Sequence, residues 1–188
     1  MKAWLIEKLG VPARLQSVST PEPGPGEALI RVHAAGLNFA DLLMAEGRYQ
    51  DRPDLPFVPG MELAGTVAAL GPGTAGPAVG TRVAAYAGKG AFAEFAAVPV
   101  DRLLTLPGKM SFAEGAAFQI AYGTSHLALV HKAGLRRGET LFVTGAAGGV
   151  GLTAVEIGHA LGARVIAQVR GPDKAEIARM AGADHVLS

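Results

Sequence analysis

The sequence predicts two domains of different class, α/β plus β: a β-rich domain over 1–120 and the first half of a parallel α/β sheet over 121–188. Three observations carry this. The first half consists of short extended runs cut by Gly/Pro punctuation, the signature of a compact barrel or sandwich. From residue 140 onward the pattern becomes strand, helix, strand, helix, strand, which implies a parallel sheet with right-handed crossovers. Between the first of these strands and its helix lies "VTGAAGGVGL" (143–152), a glycine turn suited to holding a dinucleotide.

Taken in order, "PEPGPGE" (21–27) and "GPGTAGPAVG" (71–80) are turns. "EALIRVHAA" (27–35), "ELAGTVAAL" (62–70), "TRVAAYA" (81–87) and "FAEFAAVPV" (92–100) are strands with partial alternation, and "NFADLLMAEGRY" (38–49) is a short helix. Ser111 and Glu114 in "SFAE" make a capping box, opening helical pattern that runs in one or two pieces to Lys132, with Gly134 closing it. "TLFVT" (140–144) is apolar and β-branched, so a strand buried on both faces is expected. A helix over 149–161, a strand over 163–169, a helix over 172–180 with Pro172 in its first turn, and a strand from 184 follow. Gly162 and Gly182 stand as left-handed caps.

Apolar residues make up 49% and charged residues 18% of the chain, enough for a buried core. A net charge of +1 argues against nucleic acid or an anionic membrane as partner. The N-terminal apolar run, broken by Glu7 and Lys8, reads as neither signal peptide nor spanning helix. The absence of cysteine excludes disulfides and thiolate metal sites and suits a reducing compartment, so a soluble cytoplasmic protein is expected.

Residues 146–151 have the spacing A-x-G-x-x-G: Ala146, Ala147, Gly148, Gly149, Val150, Gly151. Ala146 stands where the first glycine of the dinucleotide fingerprint falls. Gly148 lets backbone approach a pyrophosphate, Gly151 lets the helix pack on the strand, and the free N–H groups at the helix start favour phosphate. The alternative is a tight turn with no ligand. A P-loop is excluded, because no Gly-Lys-Ser/Thr follows. At the end of the second strand, where an NAD site carries an acidic residue, the chain has Gln168, Val169 and Arg170. Arg170 and Lys174 suit the 2′-phosphate of NADP(H), or else form a solvated surface pair; Asp173 could reach a ribose only if its loop folds inward.

The chain also resembles, nearly end to end, the zinc-independent quinone oxidoreductases of the medium-chain dehydrogenase/reductase superfamily. The matching stretches are "AAGLNFADLL", "LPFVPGMELAGTV", "GAFAEFAAVP", "AAFQIAYGTSHLAL" and "LFVTGAAGGVGLTAVEIGHALGARVIA". The resemblance implies a GroES-like β-barrel domain, the first half of a Rossmann sheet, and a cleft between them. It implies NADPH as cofactor and a quinone or α,β-unsaturated carbonyl as acceptor, with a homo-oligomer as a further possibility. Zinc-dependent relatives place a Cys where this chain has Asn38 and a His where it has Met61. The five histidines (33, 126, 131, 159, 185) show no ligand spacing, and no metal is expected.

By the same resemblance Asn38 bonds a ribose or substrate oxygen, Tyr49 donates to the acceptor oxygen or stacks on it, and Thr124 lies near the nicotinamide. Gln119 is a further candidate. Each has a structural alternative: Asn38 as a helix cap, Tyr49 as packing, Thr124 bonded to a carbonyl of its own helix. The family also implies a longer chain, whose second Rossmann half completes the nicotinamide pocket. Two functions therefore stand open for these 188 residues: an NADPH-dependent reductase, or a nucleotide-binding fragment or split subunit that needs a partner chain.

Overall fold

The computed structural model describes residues 1–188 in two compact units, Met1–Gln119 and Ile120–Ser188. In the first unit β1 (Lys2–Leu5) and β2 (Arg14–Ser17) form an antiparallel hairpin. A five-stranded antiparallel sheet holds β3 (Glu27–Gly36), β4 (Glu62–Leu70), β5 (Arg82–Tyr86), β6 (Phe95–Pro99) and β7 (Leu103–Thr105) in the order β6-β3-β4-β5-β7. Isolated bridges tie the hairpin to this unit at Ala3–Ala93 and Ile6–Phe57.

Strand β4 is central because both its faces are buried. Leu63 and Val67 join Ile30, Val83 and Val98 in the main core, while the next residue along, Ala64, packs with Ala84, Leu106 and Ala116 on the other side. Successive side chains of a strand point to opposite faces, so "ELAG" reads as an unbroken buried run and not as an alternation. Helix α1 (Phe39–Ala45) follows β3, and α2 (Phe112–Ala116) opens on the expected capping box: Ser111 N–H donates to Glu114 at 2.7 Å and Glu114 N–H donates to Ser111 Oγ at 3.2 Å.

In the second unit α3 (Ala121–His126) continues as a π-type turn to Lys132. Three parallel strands follow, β8 (Thr140–Thr144), β9 (Arg164–Gln168) and β10 (His185–Leu187), in the order β10-β9-β8. The crossovers are α4 (Gly149–Ala160) and α5 (Pro172–Met180). Val143, Val165 and Ala167 pack with Val155 of α4 and Ala178 of α5, so both helices cover the same face.

Several expectations change. Strand β8 is not buried on both faces: Val143 is buried, but Thr140, Phe142 and Thr144 are exposed, because the helices cover only one side. The helix expected over 38–49 ends at Ala45, where Gly47 turns the chain with φ +72°, so Tyr49 lies in a bend. Strands β1, β2 and β7 were not expected; three or four residues carry too little periodicity to signal a strand.

Candidate functional site

The glycine turn is shaped by two backbone requirements. Gly145 adopts φ +61°, a region that side chains rarely occupy. Gly151 sits under it: a Cβ there would lie 2.3 Å from the Gly145 carbonyl oxygen, so only glycine lets α4 begin this close to β8. The turn is closed by hydrogen bonds from Gly148 N–H to Gly145 O (2.9 Å) and from Ala146 N–H to Gln168 O (3.1 Å). Gly148 is the N-cap of α4 and no side chain caps that helix, so its first N–H groups remain available to an anion.

Beside this turn is a cavity of about 390 Å³ lined by Gly145, Ala147, Gly148, Gln168, Val169, Arg170 and Lys174. Four of the expected residues, Ala147, Gly148, Arg170 and Lys174, thus converge on it. Ala146 is fully buried beneath, and Gly149, Val150 and Gly151 form the first turn of α4 behind it. Asp173 lies in the first turn of α5 and does not line the cavity. Gly145 was the missed member; its position directly after the "FVT" of the strand was the available signal. An ordered glycine turn, an uncapped helix start and two cations around one cavity fit a phosphorylated dinucleotide.

In the first unit, Asn38 holds the N-cap position of α1 in extended conformation (φ −113°, ψ 156°). Its backbone N–H donates to Asp41 Oδ2 at 2.9 Å, and its side-chain amide donates to Glu62 Oε1 at 2.8 Å. Asp41 and Glu62 are each only 2% exposed. Burial raises the Asp41 pKa, opposed by the backbone N–H groups of Asn38, Gly60 and Met61 that face its carboxylate. Asn38 thus occupies the cap position that was its structural alternative, and its side-chain amide is held by a buried carboxylate. Met61 is buried, and no three His, Asp or Glu side chains gather closely enough to hold a metal ion.

Tyr49 is half-buried. It lies near Tyr86, whose pKa is raised by burial first and then by Tyr49 and Asp51. Tyr86, at the end of β5, was not singled out from sequence; an aromatic residue closing a strand before "AGKG" was its only mark. Thr124 is exposed on α3, and Gln119 has a buried amide nitrogen without a hydrogen-bond partner. No helix is long and apolar enough to cross a membrane.

These units define a class, a β domain of the alcohol dehydrogenase type followed by a partial Rossmann-like parallel sheet. Residues 24–108 match the family described as the alcohol dehydrogenase GroES-like domain. The chain is 39% identical over 184 residues to quinone oxidoreductase-like protein 2 of Bos taurus, covering 97% of this chain and 52% of that protein. Among solved structures, the quinone oxidoreductase of Thermus thermophilus, also known in complex with NADPH, superposes with a TM-score of 0.88 at 41% identity, over 99% of this chain and 59% of that one. The human synaptic vesicle membrane protein VAT-1 homolog-like protein superposes with a TM-score of 0.94 at 34% identity, over 100% and 61%. Over nearly its whole length the chain is similar to quinone oxidoreductases and quinone oxidoreductase-like proteins. It spans about half the length of the curated relatives it matches.

Proposed function

We propose that this chain carries the cofactor cradle and acceptor-binding domain of an NADPH-dependent oxidoreductase that reduces a quinone or an α,β-unsaturated carbonyl without zinc. The observation that carries the reading is the convergence of Arg170 and Lys174 on the cavity beside the glycine turn. The turn from Gly145 to Gly151 holds the pyrophosphate. Arg170 offers a planar fork and Lys174 a point charge to the 2′-phosphate. The NADPH of a relative's complex supports this choice of cofactor. When bound, NADPH supplies the hydride, and a proton completes reduction of the acceptor.

The protein's own residues bind and orient. Asn38, fixed by Glu62, holds a ribose or substrate oxygen. Tyr49 donates to the acceptor oxygen or stacks on its ring, and Thr124 lies by the nicotinamide; these roles rest on the family resemblance. The zinc positions of related dehydrogenases are held by Asn38 and Met61, an amide in place of the thiolate ligand and a thioether in place of the imidazole nitrogen. A conjugated acceptor spreads incoming charge over its own π-system and needs no Lewis acid for an alkoxide. A cysteine-free sequence supports a cytoplasmic setting.

Titration with NADPH and NADH, followed by nicotinamide fluorescence, tests the cradle. Preference for NADPH is expected, and Arg170→Glu with Lys174→Glu should weaken NADPH by about a hundredfold while changing NADH little. Equal affinity for both nucleotides in the parent chain overturns the assignment. Zinc bound near one equivalent overturns the zinc-free reading. A second reading, a nucleotide-binding fragment that turns over only with a partner chain, is favoured by the open edge of β8 and the uncovered sheet face beside it. Binding without quinone reduction by this chain is its expected signature.

A further inference from the structure

Next to the bend that holds Tyr49, the first unit contains a second polar depression of about 500 Å³, lined by α1 residue Met44, the loop 50–53, Tyr86 with the turn 87–89, and Arg102. Its charged lining is unbalanced. Arg52, Lys89 and Arg102 face one carboxylate, Asp51. The ion pairs of the molecule are Arg48–Glu46 and Arg179–Glu176, so none of these three cations is paired. Unpaired cations usually spread over a surface to limit repulsion; three around one concavity raise its affinity for an anion.

The depression also has an aromatic wall. The Arg102 guanidinium lies over the Tyr86 ring, 5.7 Å from its centroid. Gly88, at φ +75°, turns the chain between Tyr86 and Lys89, and a Cβ there would lie 3.9 Å from Arg102 Nη1, so the turn runs close beneath the guanidinium. Tyr86 is half-buried, and burial with the nearby Tyr49 and Asp51 keeps its hydroxyl protonated, leaving a hydrogen-bond donor in the wall. A fork-shaped cation, an ammonium and a phenol beside an aromatic face suit a carboxylate carried on a planar ring.

We infer that this depression is an anion subsite for a small aromatic carboxylate, recognised by Arg102, Lys89 and Arg52 against the Tyr86 ring. As a statement about substrate, that the acceptor carries an acidic group, it rests on the function proposed above. As a statement about binding it needs no nucleotide, so a failed NADPH titration leaves it standing.

The test is a titration of the 188-residue chain with sodium benzoate, benzamide and sodium phosphate, followed by backbone amide correlation spectra. Benzoate should shift the amides of 50–52, 86–89 and 102, with benzamide inert and phosphate weaker. Each of Lys89→Gln and Arg102→Gln should weaken benzoate by about tenfold with otherwise unchanged spectra, as expected for loss of one charge-assisted contact. Arg52→Gln, on an exposed loop where it leaves the core untouched, should weaken benzoate likewise. Benzamide binding as well as benzoate, benzoate shifts confined to other regions, tighter binding of phosphate than benzoate, or unchanged affinity in the folded Lys89 and Arg52 variants each overturn the proposal.

Discussion

Gly149 and Gly151 are two residues apart in the same turn, yet they answer to different constraints. A Cβ at Gly151 meets the Gly145 carbonyl and the Ala146 Cα, both backbone atoms that cannot rotate away. Gly151→Ala should therefore lose about 1–3 kcal/mol of stability, the range of overpacking, and lose nucleotide binding with it. At Gly149 nothing lies within 4 Å of the added atom, so Gly149→Ala should leave stability unchanged or raise it by about 0.5–1 kcal/mol, as alanine usually does in a helix. Thermal unfolding and NADPH titration of the two variants check the contrast. Asp41 makes a pH prediction. Its folded pKa lies above the ordinary 3.8, so the unfolded chain releases the proton first. Between those two values the folded state binds more protons, and stability from this residue falls as pH rises. Asp41→Asn removes that slope; denaturant unfolding of both proteins across the acid range, from about pH 4 upward, measures it. The A-x-G-x-x-G spacing was legible in the sequence because it is local. The pairing of Asn38 with Glu62, 24 residues away, was not.

Helix α4 presents the cradle, and α3 holds α4. Ser125 is buried on α3; its hydroxyl donates to the Val150 carbonyl at 2.7 Å and lies 2.8 Å from the Thr153 hydroxyl, both on α4. Thr153 in turn reaches the Ala121 carbonyl at 3.0 Å, and the Tyr122 hydroxyl donates to the Glu156 carboxylate, which raises the Tyr122 pKa. These bonds run between the helices, and that from Ser125 to the Val150 carbonyl is at the first turn of α4, beside its uncapped N–H groups. Ser125→Ala leaves the pair without its central donor and should cost about 1–2 kcal/mol. It should also weaken NADPH binding less than the paired Arg170 and Lys174 changes do, because the cradle loses support and not a contact; calorimetric unfolding and nucleotide titration separate the two effects. Thr124, singled out from sequence, is exposed, and its neighbour Ser125 makes the buried contact. Sequence placed a helix there, but which residue of so short a helix faces inward depends on what packs against it, and it is the contact with Val150 and Thr153 of α4 that buries Ser125.

At the scale of the molecule, the second unit is a parallel sheet covered on one face only. Phe142 is 53% exposed on β8, one of the two edge strands of that sheet. An uncovered apolar face beside an unpaired edge is prone to pairing with another chain. The isolated chain should therefore self-associate as its concentration rises, and Phe142→Lys should shift it toward monomer in sedimentation velocity; a parent chain that stays monomeric contradicts this. The fold class, the order of the main strands and helices, and the glycine cradle are all written in short-range periodicity and spacing. Folding in three dimensions is what puts both crossover helices on one face, holds Asn38 against Glu62, and gathers Arg52, Lys89 and Arg102 around one depression with Tyr86. Those are contacts between distant segments, set by strand register and packing, and a linear pattern carries no record of which distant residues meet.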